Sequence, residues 1–212
     1  MAKGGRISEG KRLYNAGVRV FVVLDVDGVV NSVYRRGPFP AGFYWPVKQF
    51  PCQLTADYSA YYIMQYAPAM IAELNELLSL RRTQLCWLTS WQQDAINVGR
   101  GMGLMGARPD VVIAYDRGIL DDQIGKAPGL TRFLDGVPAD AAVVWVDDLL
   151  HDGYYSTDDA VAALAPIEVL RVRPEASYGI SKGEMARIAD FVKARAGQPA
   201  RNAGAAVAKG KR

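Results

Sequence analysis

The chain has 212 residues, of which half are apolar and 22% are charged, a balance typical of a globular protein with a core of its own. It contains no run of about 18 apolar residues, which excludes a membrane-spanning helix, and its basic start lacks the apolar stretch of a secretory signal. Two cysteines, Cys52 and Cys86, are too few for a disulfide framework or a cysteine metal site. We therefore expect a cytoplasmic protein.

Charge is distributed unevenly along the chain. The net charge is +3, yet residues 1–12 carry +3 and residues 197–212 carry +4, which leaves −4 for residues 13–196. Basic ends of this kind are usually solvated and disordered, although the same side chains would suit a polyanion. We predict one domain over 13–196, between a basic N-terminal tail, 1–12, and a disordered basic C-terminal tail, 197–212.

Five apolar runs predict the strands of one sheet. They are continuous rather than alternating, as expected of strands that are buried on both faces. Their ranges are 18–26, 84–89, 111–115, 143–147 and 167–172. Helical patterns separate most of them, at 68–80, 92–99, 127–135, 157–165 and 181–195. This alternation predicts an α/β protein with a parallel sheet between two helical layers, that is, a three-layer Rossmann-like fold.

Local signals mark the ends of two of these helices. Pro68 is well placed in the first turn of the first one. Ser181 and Glu184 have the spacing of a capping box at the start of the last helix, and Gly197 is suited to end it.

One long segment, 31–67, interrupts the alternation after the first strand. It is rich in Tyr, Phe and Pro and carries no acid before Asp57. An insert of this length is usually functional or a small added element, and we predict a flap with a hairpin around 43–50 and 58–66. Its rings could stack on bases with Arg35 and Arg36 on phosphates, or they could simply pack the insert onto the sheet.

The first strand runs into Asp25, Val26, Asp27 and Gly28. Ligands of parallel α/β sheets lie at the carboxyl ends of the strands, and side chains two positions apart on an extended chain point the same way. Two carboxylates facing one spot repel each other unless a cation lies between them, and Mg²⁺ is the hard cation that prefers oxygen ligands. Gly28 allows a sharp turn beside them.

Other predicted strand ends add complementary groups. Thr89 and Ser90 follow the second strand, Asp147 and Asp148 end the fourth, and Lys126 precedes the fourth within GKAPG. A metal and a lysine neutralise phosphoryl charge, a hydroxyl binds an oxygen, and a carboxylate can attack phosphorus. The combination indicates chemistry on a phosphoryl group.

These four segments resemble the motifs of the haloacid dehalogenase (HAD) superfamily of phosphotransferases, in matching order over about 20–150. More narrowly, LDVDGVVN, WLTSW, GK and WVDD are similar to the HAD domain of bacterial Swiss Army Knife RNA-repair proteins. The resemblance implies a sheet of order 5-4-1-2-3. The insert is too short for the large cap domain that many relatives carry.

The resemblance also implies a role for each matching residue. Asp25 would be the nucleophile that forms an aspartyl-phosphate, and Asp27 the acid and then base, with its backbone carbonyl on Mg²⁺. Thr89 would bind a phosphate oxygen, with Ser90 as the alternative contact. Lys126 would neutralise the phosphoryl group and hold a carboxylate of the fourth motif.

The fourth motif departs from the family pattern, since Asp147 stands where a glycine usually precedes the metal-binding aspartate. The expected metal ligands are Asp25, Asp27 and Asp148, with Asp147 beside Lys126, and the reverse assignment of the last two aspartates stays open.

The expected function is that of a Mg²⁺-dependent phosphomonoesterase acting on terminal phosphates of RNA or DNA. Arg35, Arg36 and Trp45 of the insert are the further candidates for substrate binding, beside Ser90. The alternatives are a small-molecule phosphatase such as a nucleotidase, with the flap closing on its substrate, and a module that binds phosphate or nucleic acid without turnover. His151 is the only histidine, so a histidine-rich zinc site is excluded. The oligomeric state is not indicated.

Overall fold

A computed structural model describes residues 7–33, 42–53, 61–115, 122–150 and 162–197. Five helices and seven strands are defined within these ranges. The helices are α1 (Glu9–Asn15), α2 (Pro68–Leu78), α3 (Asp94–Met102), α4 (Asp122–Leu134) and α5 (Lys182–Ala196). The strands are β1 (Val20–Leu24), β2 (Lys48–Gln53), β3 (Tyr61–Tyr66), β4 (Thr83–Trp87), β5 (Val111–Val112), β6 (Ala142–Val146) and β7 (Glu168–Val172).

Five of the strands form one parallel sheet in the order β5-β4-β1-β6-β7. They lie within or overlap the five apolar runs, so the predicted α/β class with a parallel sheet is confirmed, and the architecture is compatible with a Rossmann-like fold. The predicted order 5-4-1-2-3 needs correction, because β2 and β3 come next along the chain after β1 and form a separate antiparallel sheet. In the numbering of all seven strands the order reads β7-β6-β1-β4-β5.

Both faces of the sheet are covered, which is why its strands read as continuous apolar runs. All five residues of β1 are buried. Val22 and its alternate neighbours belong to one core cluster, to which α2, α3 and α5 contribute Leu74, Val98 and Ile188. Phe21 and Val23 belong to the cluster on the other face with residues of α4. The sheet is therefore the middle layer of three.

The ends of α5 follow the sequence signals. The Ser181 hydroxyl oxygen accepts a hydrogen bond from the Glu184 backbone N–H (3.2 Å), and the Glu184 carboxylate accepts one from the Ser181 N–H (2.8 Å). Gly197 is the C-cap. Helix α4 begins five residues before its predicted start. The expected helix at 157–165 lies mostly outside the described residues.

The N-terminal segment is partly folded, and α1 overlaps the end of the predicted basic tail, 1–12. Helix α1 begins at Glu9 and is capped by Ser8, whose hydroxyl oxygen accepts from the Lys11 N–H at 3.1 Å. Leu13 and Tyr14 pack against the second core cluster. Residues 1–12 are so rich in basic side chains that the sequence predicted a solvated tail there and not this short helix. Residues 1–6 and 198–212 lie outside the described residues.

The insert after β1 contains the predicted hairpin: β3 lies within the predicted range 58–66, whereas β2 begins five residues later than the predicted range 43–50. In the described residues β2 pairs with β3 in antiparallel register, Lys48 opposite Tyr66. Cys52 and Met64 are buried in the first core cluster, and Phe50 packs against it. The hairpin is thus fixed to the body by apolar contacts.

None of the described helices is long and apolar enough to cross a membrane.

Candidate active site

The candidate site lies where three neighbouring parallel strands end. Asp25 follows β1, Asp147 follows β6 and Thr89 lies two residues after β4. The Leu88 N–H donates to the Leu24 carbonyl at 2.9 Å, and the Asp25 N–H donates to the Val146 carbonyl at 3.0 Å. The sheet ladder therefore brings the three segments to one edge, as parallel α/β sheets generally do with their functional residues.

A buried lysine from α4 joins two of these segments. Lys126 Nζ lies 2.6 Å from Asp25 Oδ2 and 2.7 Å from Asp147 Oδ2. All three side chains are almost fully buried. Burial acts to lower the pKa of Lys126, but the charges of Asp147 and Asp25 outweigh it and raise that pKa above its usual value. The lysine is therefore a permanent cation between two carboxylates.

Asp148 adds a third carboxylate to the cluster. One carboxyl oxygen from each of Asp25, Asp147 and Asp148 lies within 4.8 Å of the others. Burial, and next the charge of Asp25, raise the pKa of Asp147 and that of Asp148 to about 6. Three carboxylates face one ammonium, so the ionised cluster carries an excess of two negative charges. Hard oxygen donors with that excess charge suit a divalent cation such as Mg²⁺.

Asp147 and Asp148 differ in the contacts of their carboxyl groups. Asp147 Oδ2 accepts from Lys126 and its Oδ1 accepts from the Leu149 N–H at 3.1 Å, so the chain engages both oxygens. The Asp148 carboxyl instead lies against the backbone of Gly28. The more exposed Asp148 is the better placed of the two to bind a ligand directly.

Gly28 is required at the turn between β1 and this cluster. Its φ is +70°, a left-handed conformation that favours glycine. A Cβ at this position would overlap the Asp148 carboxyl, with Oδ2 only 2.6 Å away. Gly136 has nearly the same φ, +69°, but open space around it.

We expect Gly28→Ala to destabilise the protein more than Gly136→Ala does. Both substitutions force an alanine into the left-handed region, which costs about 1 kcal/mol, but only the first also displaces Asp148, for about 1–3 kcal/mol more. The free energy of unfolding from urea titrations measures the difference. Equal losses for the two variants would show that the contact between Gly28 and Asp148 is not tight.

The second aspartate of the DVDG motif is held apart from this acidic cluster. Asp27 Oδ1 accepts a hydrogen bond from Asn31 Nδ2 at 2.6 Å, and its Oδ2 accepts one from Trp91 Nε1 at 2.8 Å. Its carboxylate does not belong to the three-carboxylate group. Asn31 and Trp91 were not among the expected site residues, although both lie within the quoted motifs LDVDGVVN and WLTSW.

Thr89 is fully buried, and its Oγ1 accepts from the Trp91 backbone N–H at 3.3 Å. The Thr89 hydroxyl is only the acceptor in that bond, so its own proton can still be donated to a ligand oxygen. Ser90 is half-buried beside it. The turn 89–91 thus carries both a candidate oxygen-binding hydroxyl and the indole that contacts Asp27.

Of the remaining predicted site residues only Trp45 is among the described residues, and its contacts lie away from this cluster. Trp45 Nε1 donates to the Ile180 carbonyl at 3.1 Å, and Lys182 Nζ lies 5.5 Å from the centre of the Trp45 ring. Trp45 therefore packs the insert onto the start of α5, which was the alternative to base stacking. Arg35, Arg36 and His151 lie outside the described residues.

No protein-family model, curated protein or solved structure matches this chain. The geometry of the site is therefore what supports an assignment of function.

Proposed function

We propose that the protein is a Mg²⁺-dependent phosphomonoesterase of the HAD type that works through an aspartyl-phosphate on Asp25. The observation that carries this proposal is the buried cluster at the end of the central strand, in which Lys126 bridges Asp25 and Asp147 beside Asp148. A purely structural cluster would have no reason to retain two uncompensated negative charges, because buried carboxylates without partners are destabilising.

The residues present fit the proposed metal ion. Asp25 and Asp148 would hold Mg²⁺ directly, with the Asp27 backbone carbonyl as the further ligand that the family resemblance implies. Asp147 would stay on Lys126 and orient it. When bound, the ion supplies positive charge that offsets the carboxylates and the phosphoryl oxygens.

The chain's own groups account for the bond changes. An Asp25 oxygen attacks phosphorus, the ester P–O bond breaks, and Asp27 gives its proton to the departing oxygen. Asp27 then takes a proton from water as that water attacks the phosphorus of the aspartyl-phosphate, which releases phosphate and regenerates Asp25. Lys126 and the Thr89 hydroxyl bind phosphoryl oxygens throughout.

An exposed ring that reaches Asp27 through Trp91 supports a nucleic-acid end as the substrate. Tyr62 on β3 is 42% exposed. The Tyr62 ring contacts Trp91, with 5.1 Å between ring centroids, and Trp91 bonds Asp27. A leaving group that takes the Asp27 proton would therefore lie near aromatic side chains, on which bases stack without sequence preference. We propose terminal phosphates of RNA or DNA as the substrate class.

Phosphate release from a substrate panel tests the proposal. The panel contains p-nitrophenyl phosphate, mononucleotides, and oligonucleotides with a 5′- or a 3′-phosphate, each with Mg²⁺ or with EDTA. We expect release that requires Mg²⁺ and is fastest from oligonucleotide ends. Faster release from mononucleotides would indicate a nucleotidase and not an enzyme that acts on oligonucleotide ends. No release from any ester, together with no metal-dependent binding of BeF₃⁻, would indicate a binding module instead.

Removal of the metal should make stability depend on pH in a defined direction. The pKa of Asp147 and that of Asp148 are about 6 in the folded chain against 3.8 ordinarily, so the metal-free folded state binds more protons than the unfolded state between these values. The stability that these two bound protons contribute is fully present below about pH 4 and is lost as the pH rises through 6.

We therefore expect the unfolding free energy measured in EDTA to fall from pH 4 to pH 7, relative to that measured in Mg²⁺. Mg²⁺ affinity by calorimetry should weaken below pH 6, by up to about tenfold per pH unit for each proton displaced. Asp148→Asn should reduce both effects. Stability curves that run parallel with and without Mg²⁺ would contradict a metal site here.

A further inference from the structure

We infer that Trp91 and Asn31 are positioning residues for Asp27, and that the β2–β3 hairpin holds both of them in place. The inference rests on the proposed function, in which Asp27 acts as acid and then base. It assigns to the hairpin an effect on the chemical step, in addition to packing.

Each oxygen of the Asp27 carboxylate has its own donor. Asn31 Nδ2 donates to Oδ1 and Trp91 Nε1 donates to Oδ2. A carboxylate bonded at both oxygens cannot rotate about its last single bond without breaking one of the two bonds. Each oxygen keeps a second lone pair, which can carry the transferred proton. The two donors therefore fix the direction in which that proton is offered.

Asn31 is itself fixed by the hairpin. Its Oδ1 accepts from the Gln65 backbone N–H at 2.8 Å, and the Ser32 N–H donates to the Gln65 carbonyl at 2.7 Å. Because the main-chain donor takes the Asn31 oxygen, the amide nitrogen has to face Asp27. Asparagine has the required acceptor and donor on one short side chain, so it connects β3 to the carboxylate.

Trp91 is held from the same strand. Its ring meets the Tyr62 ring edge to face, with an angle of 68° between the ring planes. Its backbone N–H is bonded to Thr89 Oγ1. Tyr62 and Gln65 are both residues of β3, so a single strand of the insert supports both donors to Asp27.

Positioning of a general acid has a recognisable kinetic signature. An alkoxide leaving group requires a proton as the P–O bond breaks, whereas p-nitrophenolate departs readily without one. A misdirected Asp27 should therefore slow hydrolysis of the ester with the alkoxide leaving group and leave hydrolysis of the aryl ester nearly unaffected. A general loss of folded structure would slow both esters equally. The specificity constant kcat/KM reports the step up to transfer onto Asp25, so the later hydrolysis does not blur the comparison.

The test measures kcat/KM of Trp91→Phe for p-nitrophenyl phosphate and for a nucleoside 5′-monophosphate. Phenylalanine keeps a ring against Tyr62 and removes only the indole donor. We expect a loss of about 10- to 100-fold for the nucleotide and less than about threefold for the aryl ester. Trp87→Phe is the matched control, since Trp87 Nε1 also donates to a carboxylate, Asp110 Oδ2 at 3.0 Å, away from Asp27. It should change both rates by one common factor.

Asn31→Asp gives a second, independent readout. This change keeps an acceptor for the Gln65 N–H but sets a carboxylate against Asp27. We expect the nucleotide rate to fall at neutral pH and to recover partly at lower pH, where the introduced carboxyl group is protonated and can donate again.

The outcomes separate the inference from the proposed function. If the wild-type protein hydrolyses both esters with Mg²⁺ but Trp91→Phe slows them by the same factor, the positioning inference is overturned and the proposed function stands. If the wild-type protein hydrolyses neither of these esters nor a phosphorylated oligonucleotide end, the proposed function fails and the inference fails with it.

Discussion

Asp25→Asn should reduce phosphate release by at least about 10³-fold, because an amide oxygen cannot form the aspartyl-phosphate intermediate. The substitution keeps the size of the side chain. Its carbonyl oxygen can still accept from Lys126, and the bond from the Val26 N–H to Asp25 Oδ1, at 2.6 Å in the wild type, is the contact that is lost. The initial rate on the best substrate of the panel measures the effect.

The same variant should remain folded, which separates chemistry from stability. After burial, the charge of Asp25 is the next cause of the raised pKa of Asp147 and of Asp148. Removing that charge relieves repulsion and offsets the lost hydrogen bond, so we expect an unfolding free energy within about 1 kcal/mol of the wild type. A variant that keeps more than a tenth of the wild-type rate would point to another nucleophile and overturn the role of Asp25.

Lys126→Met should lower the unfolding free energy by about 3–5 kcal/mol at pH 7, since it leaves two buried carboxylates facing each other without a cation. Methionine has about the same length as lysine, so little packing is lost. Part of the loss should be recovered as the pH falls from 7 to 5, because protonated carboxyl groups no longer repel. Phosphate release should fall by at least about 100-fold together with stability.

An exposed ion pair provides the control for this substitution. Arg12 contacts Glu9 at 2.8 Å, with 65% and 47% of the two side chains exposed. Arg12→Met should therefore cost no more than about 0.5 kcal/mol. Urea titrations at pH 5 and pH 7 compare the two variants. If Lys126→Met costs as little as Arg12→Met, or shows no dependence on pH, Lys126 does not compensate the acidic cluster.

The parallel sheet was predictable because burial on both faces leaves a direct trace in the sequence. The strands β1, β4 and β6 are buried at every position, so β1 and β6 read as unbroken apolar runs and β4 does so from Leu85 onward. Helix α4 was predicted too short because Pro128 lies inside it, a residue that normally ends or bends a helix. The packing of Leu130 and Phe133 in the second cluster and the ion pairs of Lys126 outweigh that preference.

The acidic cluster was also predictable, whereas its support was not. Asp25, Asp147 and Asp148 follow predicted strands of one parallel sheet, and the carboxyl ends of such strands lie at one edge, so their meeting was expected. The contact between Trp91 and Asp27 joins residues 64 positions apart, and it depends on where a turn and a hairpin come to rest. Sequence periodicity carries no information on such a contact. For the same reason the sequence left open whether Trp45 stacks on bases or packs the insert, and the ring lies packed at the start of α5.

The central position of β1 in the sheet determines which parts of the protein can unfold locally in solution. β1 is paired with β4 and with β6 over all five of its residues, whereas β5 is paired over only two residues at the edge. Amide protons of β1 should exchange with deuterated water only when the whole sheet opens, and those of β5 and of the hairpin should exchange by local opening. We therefore expect the backbone of Asp25 to stay in place through local fluctuations, while detachment of the hairpin would remove the contacts that support the two donors to Asp27.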